Sequence, residues 1–276
     1  MIGDVAIIRA CAKINLVLRV GSKRPDGYHE LVTLVARISL ADVLLIDPAE
    51  NTTVACPGLP GGDTLVTRSL ALLCEAAGYS GGFNVHIDKR IPYGAGLGGG
   101  SADAAAALRF ANDLLPQPLP AAEVARIAAL IGSDVPALLH DQATLGRGRG
   151  EQIEVLGDLP RAYVALAHPG RPLATRDVYA HYRPDDRPLP SAITLPANLD
   201  ELAGLVENDL AIPAQQLEPA CGALRVALVE RGALAASVSG SGSVVFGLFA
   251  QEQDAQAAIA NLPGAIWATT GILGIR

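Results

Sequence analysis

The chain has 276 residues, half of them hydrophobic and 18% charged, a balance that excludes disorder and leaves room for about two domains or one large one. Its 21 Lys and Arg against 28 Asp and Glu give a formal net charge of -7, which argues against a nucleic-acid carrier whose affinity rests on neutralising phosphates. Any anion has to be bound locally, and the 29 glycines are the strongest signal in the composition.

The N-terminal run carries Asp4, Arg9 and Lys13 inside apolar sequence, so it reads as neither a signal-peptide core nor a membrane span. The apolar stretches stay well below the ~18 consecutive residues of a spanning helix. The 4 cysteines, Cys11, Cys56, Cys74 and Cys221, are scattered without a C-x-x-C pair, which suits reducing, cytoplasmic surroundings. Neither a membrane nor a nucleic-acid partner is expected.

From Ile14 the residues Ile14, Leu16, Leu18 and Val20 alternate with Asn15, Val17 and Arg19, the period of a strand with one buried face; Lys13 and Asn15 share the opposite face. Arg24-Pro25-Asp26-Gly27 is a turn that delivers Tyr28 and His29. Two β-rich runs follow, Leu31 to Leu40 and Val43 to Asp47. Residues 63–77 read as a helix capped by Asp63 or Thr64 and stopped by Gly78, and Phe83, Val85 and Ile87 mark another strand. Helices are expected over Ser101 to Leu115, ended by Pro116, and over Ala121 to Ile131. The connector Gly132-Ser133-Asp134-Val135-Pro136 leads into a further short helix with Pro136 in its first turn.

A Gly- and Arg-rich stretch, Thr144 to Gly150, precedes punctuation by Gly157 and Pro160, which suggests a division into domains 1–158 and 159–276. The remainder reads as strand (163–168), helical material (175–231) interrupted by loops including the Pro-rich 183–196, strands (234–239 and 243–249), helix (251–262) and strand (265–273). That order is βαββαβ, the ferredoxin-like arrangement.

The segment Ile91-Pro92-Tyr93-Gly94-Ala95-Gly96-Leu97-Gly98-Gly99-Gly100-Ser101-Ala102 lies between a strand and a helix. Glycines let several backbone N–H groups point into one concavity, and the positive end of the helix adds to them, so phosphate is the expected occupant. Ser101 is placed to cap the helix or to face a phosphate or metal. Gly94-x-Gly96-x-x-Gly99 also satisfies the dinucleotide fingerprint, which on its own would suggest a nicotinamide-dependent oxidoreductase. The acidic strand end required ~20 residues later is replaced by a helix with Asp113 and by Pro116, Pro118 and Pro120. The Walker pattern lacks its lysine because Gly100 stands there; Lys89, just before the loop, is the candidate cation. Ser239-Gly240-Ser241-Gly242-Ser243, between two expected strands, suits either a backbone nest or a hairpin turn. His86, His140, His168 and His181 have no metal-ligand spacing.

Pro92 to Ala102, together with Ala12-Lys13-Ile14-Asn15-Leu16, the Gly132 to Pro136 connector and Ser239 to Ser243, resembles the signatures of the GHMP small-molecule kinases over nearly the whole chain. Asp26 to Leu31 and Gly148-x-Gly150-Glu151 resemble the branch that phosphorylates the 2-hydroxyl of a cytidine-diphosphate-linked sugar alcohol in isoprenoid synthesis. Other members act on alcohols such as homoserine or mevalonate derivatives, which have no base to stack on Tyr28 and His29. The resemblance implies a two-domain α+β kinase fold, a mixed α/β nucleotide-binding domain followed by the ferredoxin-like one, with ATP phosphates under the glycine-rich loop and Mg2+ arriving with ATP.

Site roles follow from the same resemblance. Asp134 matches the carboxylate that accepts the proton of the attacking hydroxyl, although taken alone it is as readily an N-cap. Lys13 matches the lysine that offsets charge on the phosphoryl oxygens, although taken alone it is a lysine on a strand's solvent face. Asn15 would donate to the substrate, Tyr28 and His29 would hold the cytosine, and Tyr179 and Thr175 would add a second stacking ring and a hydroxyl. Family members usually have Pro at Cys11, Met and Gly at Tyr93 and Ala95, and Asn at Thr64; none of these departures touches Lys13 or Asp134.

Overall fold

The computed structural model describes residues 6–58, 64–185 and 187–274. The chain forms two compact units interleaved along the sequence: one takes the chain up to Ala12, then 41–92 and 98–140, and the other takes 13–40, 93–97 and 141–276. The cause is the length of the first two strands, β1 (Ala6–Lys23) and β2 (His29–Ala49), each of which contributes to both units.

β2 unites the two expected runs 31–40 and 43–47, because Ala41 and Asp42 between them include neither Gly nor Pro and Asp42 is buried and bonded. β1 differs from expectation in another way. Lys13, Asn15 and Arg19 are buried along with the apolar residues between them, so the strand's polar face is enclosed and its polar groups must be satisfied within the protein.

The first unit adds β3 (Thr53–Ala55), α1 (Thr64–Ala77), β4 (Gly82–Asp88), α2 (Gly99–Leu114), α3 (Ala121–Ile131) and α4 (Val135–Leu138). The expected cap Asp63 lies outside the described residues. β4 pairs antiparallel with β2 from Val43↔Asp88 to Ala49↔Gly82 and parallel with β3. Phe83, Val85 and Ile87 are buried and alternate with exposed Asn84, His86 and Asp88, as the period of two requires. They pack with Leu70 and Leu73 of α1 and Leu108 of α2. The alanines of α2 let its turns sit deep in this core, with Ala102, Ala104, Ala105, Ala107 and Ala111 all buried.

The second unit adds β5 (Ala143–Arg147), β6 (Gln152–Gly157), β7 (Ala162–His168), α5 (Thr175–His181), α6 (Leu199–Gly204), β8 (Glu207–Asn208), α7 (Ala211–Leu217), α8 (Pro219–Glu230), β9 (Ala235–Val238), β10 (Val245–Phe249), α9 (Glu252–Ile259) and β11 (Trp267–Leu273). Strands β11, β7, β10 and β9 lie side by side, each pair antiparallel. With α8 and α9 they make the ferredoxin-like βαββαβ, and α5, α6, β8 and α7 are inserted before α8. The insertion has a local purpose: β8 runs parallel to β1 with Leu18↔Asn208 in register. β3, β5, β6 and β8 were not legible as strands, being short or rich in Gly and Arg.

Candidate active site

The glycine-rich loop owes its shape to alternate left-handed residues: Gly94, Gly96 and Gly98 have φ of 63°, 79° and 69°. A side chain is disfavoured there, whereas Ala95 between them needs no such conformation. A Cβ on Gly96 would lie 2.1 Å from the Ser239 carbonyl oxygen, so the loop and the Ser239 to Ser243 turn touch through backbone. Ser239 Oγ donates to Gly96 O at 2.8 Å, Val244 N to Ala95 O at 3.0 Å and Lys13 N to Leu97 O at 2.9 Å. Three of the four family-like motifs thus meet within the second unit.

Helix α2 begins at Gly99 with Gly98 as its N-cap, so Ser101 is in the first turn and is not the cap. No side chain caps this helix end and no acidic residue occupies its first turn. Its leading N–H groups have no intrahelical acceptor, and its positive end is left for an anion. These features fit a nucleotide's phosphates.

Lys13 Nζ donates to Asn15 Oδ1 at 2.6 Å, Asn15 Nδ2 to Thr33 Oγ1 at 2.8 Å and Thr33 Oγ1 to Val17 O at 2.9 Å. These bonds engage Asn15 Oδ1 and one of the two Nδ2 protons. Gly240 roofs this group, because a Cβ there would lie 3.3 Å from both Lys13 Nζ and Asn15 Oδ1. Asn208 Nδ2 holds the roof by donating to Val238 O at 2.7 Å and to Gly240 O at 2.8 Å.

Beyond the roof, Ser243 Oγ donates to Arg171 O at 2.6 Å and meets His168 Nε2 at 3.2 Å. Gly170 N donates to His168 Nδ1 at 2.7 Å, which leaves the ring proton on Nε2. Burial lowers the His168 pKa and keeps the imidazole neutral.

Asp134 precedes α4 at the N-cap position, in helical conformation (φ -83°, ψ -18°), and makes no side-chain cap bond. The capping role open to it from sequence is thus unused. Lys89, the expected cation, donates to Asp42 Oδ2 at 2.5 Å and Asp103 Oδ2 at 2.6 Å, both fully buried, and a Cβ on Gly99 of the loop would lie 3.3 Å from its Nζ. Asp42 Oδ1 also accepts from Arg90 N and Ile91 N at 2.5 and 2.9 Å. The lysine's charge is engaged by two carboxylates, and the trio shapes the approach to the loop.

Tyr28 is exposed, with the Arg149 guanidinium 4.8 Å from its ring centroid, a cation–π contact. His29 Nδ1 lies 2.9 Å from Gly21 O, a carbonyl that only accepts, so Nδ1 carries a proton and Nε2 is the acceptor of the neutral ring. The His29 and Tyr179 rings lie 5.4 Å apart, and Thr175 Oγ1 lies 3.0 Å from Ser241 Oγ. These four expected residues all belong to the second unit. Among the described residues there is no group of three or more His, Cys, Asp and Glu that could hold a metal ion, and no helix long and apolar enough to cross a membrane.

The family model of the GHMP kinases N terminal domain matches residues 64–142, and that of the GHMP kinases C terminal matches 195–267. A 4-diphosphocytidyl-2-C-methyl-D-erythritol kinase of Parvibaculum lavamentivorans is 42% identical over 93% of this chain and 93% of its own. The protein of the same name from Rhizobium etli is 39% identical over 92% of this chain and 88% of its own. The chain belongs to the GHMP kinase family. A solved structure titled 4-(cytidine 5'-diphospho)-2C-methyl-D-erythritol kinase superposes with a TM-score of 0.83 at 37% identity, covering 98% of this chain and 100% of that one. A homoserine kinase from Cytophaga hutchinsonii shares the fold at a TM-score of 0.71 and 18% identity.

As a GHMP kinase the protein is an ATP-dependent phosphotransferase with a small-molecule acceptor. Thr33, Asn208, Asp42 and Asp103 are the polar residues of this GHMP kinase that its sequence did not single out. Each acts through a partner distant in the chain; for Thr33, Asp42 and Asp103 the one local signal was a polar residue within an apolar run, and Asn208, between Glu207 and Asp209, lacks even that.

Proposed function

We propose that this kinase transfers the γ-phosphoryl group of ATP to the 2-hydroxyl of 4-diphosphocytidyl-2-C-methyl-D-erythritol. The observation that carries the proposal is the 37% to 42% identity, along nearly its full length, to proteins bearing that name. The exposed Tyr28 ring and the His29–Tyr179 pair support it, since stacking and edge recognition are how proteins read an unpaired base.

In the proposed reaction the alcohol oxygen attacks the γ-phosphorus, an O–P bond forms, and the bond to the ADP oxygen breaks. Asp134 accepts the alcohol proton, and Lys13 offsets the charge that develops on the phosphoryl oxygens. The amides of 94–100 and the start of α2 hold the nucleotide phosphates. Ser101 would be the candidate protein ligand of Mg2+, which would arrive with ATP and supply further charge neutralisation. Tyr28, His29, Thr175 and Tyr179 bind the cytidylyl part of the acceptor, and Asn15 serves the reaction by holding Lys13. Lys89, paired with Asp42 and Asp103, is the candidate cation beside the loop.

The test is incubation with ATP, Mg2+ and the cytidylated methylerythritol, following phosphate transfer by phosphorus NMR. A new monoester at the 2-hydroxyl is expected, with none on homoserine or mevalonate offered in parallel; failure to phosphorylate the cytidylated acceptor removes the proposal.

A further inference from the structure

We infer that Thr33 is a positioning residue for phosphoryl transfer: its hydroxyl fixes the orientation of the Asn15 amide, and the oriented amide holds the Lys13 ammonium in place. The inference rests on the role proposed for Lys13 and adds to it a residue on a different strand.

The direction of every hydrogen bond in the chain is forced. Val17 O only accepts, so the Thr33 hydroxyl uses its one proton there at 2.9 Å. Thr33 Oγ1 then has only lone pairs to offer Asn15 at 2.8 Å, and the atom facing it must be the amide NH2. The other amide atom, Oδ1, therefore faces Lys13 Nζ at 2.6 Å, and an ammonium has donors only. A flipped amide would oppose donor to donor at one end and acceptor to acceptor at the other.

Lys13, Asn15 and Thr33 are all buried, so solvent does not replace a lost member of the chain. The Thr33 rotamer is itself fixed. A Cβ on Gly146, its partner across β2 and β5, would lie 3.1 Å from Thr33 Cγ2, so the glycine leaves the space that the methyl fills while the hydroxyl turns to Val17. Threonine thus does two jobs here, and only its hydroxyl bears on Lys13.

Thr33→Val keeps the volume and branching and removes the hydroxyl, whereas Thr33→Ser keeps the hydroxyl and removes the methyl. In the full-length protein T33V is expected to lower kcat about ten-fold, the scale of one hydrogen bond to a charged network, with KM for ATP and acceptor within about two-fold. T33S is expected to hold kcat within about two-fold of the parent. A readout independent of turnover is the 15Nζ resonance of Lys13, assigned by its loss in Lys13→Met: a fixed, buried ammonium exchanges slowly enough to be seen, so the signal should broaden in T33V and persist in T33S.

An unchanged resonance and kcat in T33V, or T33S as impaired as T33V, overturns the inference. If K13M turns over at the parent rate, the catalytic role of Lys13 fails instead, while the resonance in T33V still decides whether Thr33 holds the amine. Should T33V not fold, Thr33→Cys, whose thiol is a weak donor and acceptor, stands in for it with the same expected directions.

Discussion

Lys89 and Asp103 are joined at 2.6 Å inside the first unit, and the same ammonium donates to Asp42 at 2.5 Å, so one cation ties helix α2 to strand β2 at the foot of the glycine-rich loop. Removing it leaves two buried carboxylates facing each other, the arrangement in which breaking an ion pair is most damaging. Lys89→Met is expected to lower the unfolding free energy by about 3 to 5 kcal/mol, read from urea denaturation. Asp103→Asn leaves the Lys89–Asp42 pair in place, and its loss should be smaller. Equal stability of K89M and the parent would show that the trio does not hold the loop's base.

The same trio sets an alkaline limit. Burial alone would pull the Lys89 pKa down, but Asp103 and then Asp42 outweigh it, so the amine titrates above its ordinary 10.5. A raised folded pKa means that the contribution to stability is complete below the unfolded value of about 10.4 and is lost as pH rises through the folded value. Urea midpoints of the parent should fall steeply above about pH 10.4, and K89M should show a shallower fall because that linkage is gone.

Gly96 supports a prediction about the loop itself. Its φ of 79° and the 2.1 Å that would separate a Cβ from Ser239 O both exclude a side chain. Gly96→Ala must move the loop away from the Ser239 turn and break the bonds at Ala95, Gly96 and Leu97. Strain of about 1 to 3 kcal/mol in the loop proposed to hold the nucleotide phosphates should raise KM for ATP and lower kcat by about ten-fold or more. Gly204→Ala is the control: a Cβ there meets nothing within 4 Å and alanine favours the helix, so kinetics should not change.

The contrast between Gly96 and Thr33 shows what could be read from sequence. A left-handed backbone can be met cheaply only by glycine, so the conformational demand of the loop is written in the residues that bear it, and the strand before and helix after it follow from periodicity. Thr33 and Asn208 carry no such mark. Their importance comes from partners 18 to 32 positions away, Asn15 for one and Val238 and Gly240 for the other. Lys13 looked like a surface lysine because alternation gives the face of a strand and not what covers it. Lys89 could be marked as a cation near the loop, but its partner Asp42, 47 residues away in sequence, could not.

His168 carries an acid-side prediction. Its pKa is lowered by burial, and Nδ1 must accept from Gly170 N, so the fold favours the neutral ring. Above its ordinary value of 6.5 neither state is protonated and nothing is lost. Below that value the unfolded chain takes up the proton first, so stability falls with pH until the folded pKa is reached and then levels off. Thermal midpoints should drop below about pH 6.5 in the parent, and His168→Gln, which does not titrate, should drop less over the same acid range. A profile identical in the two proteins would detach His168 from the acid response.

Asp134 separates catalysis from architecture. A carboxylate at the N-cap position normally stabilises its helix by accepting from the first turn, and replacing such a cap costs about 1 kcal/mol. Here the side chain makes no cap bond, and α4 already has proline in its first turn. Loss of a cap bond is therefore not among the effects of Asp134→Asn on the melting temperature. Its amide cannot take the alcohol proton, and losing a general base typically costs about 100- to 10,000-fold in rate. The expected result is kcat reduced on that scale with ATP binding, followed by titration, within about two-fold of the parent. If D134N instead loses stability and keeps its rate, Asp134 is a structural residue, and the proton must leave by another group or pass directly to solvent in a loose transition state.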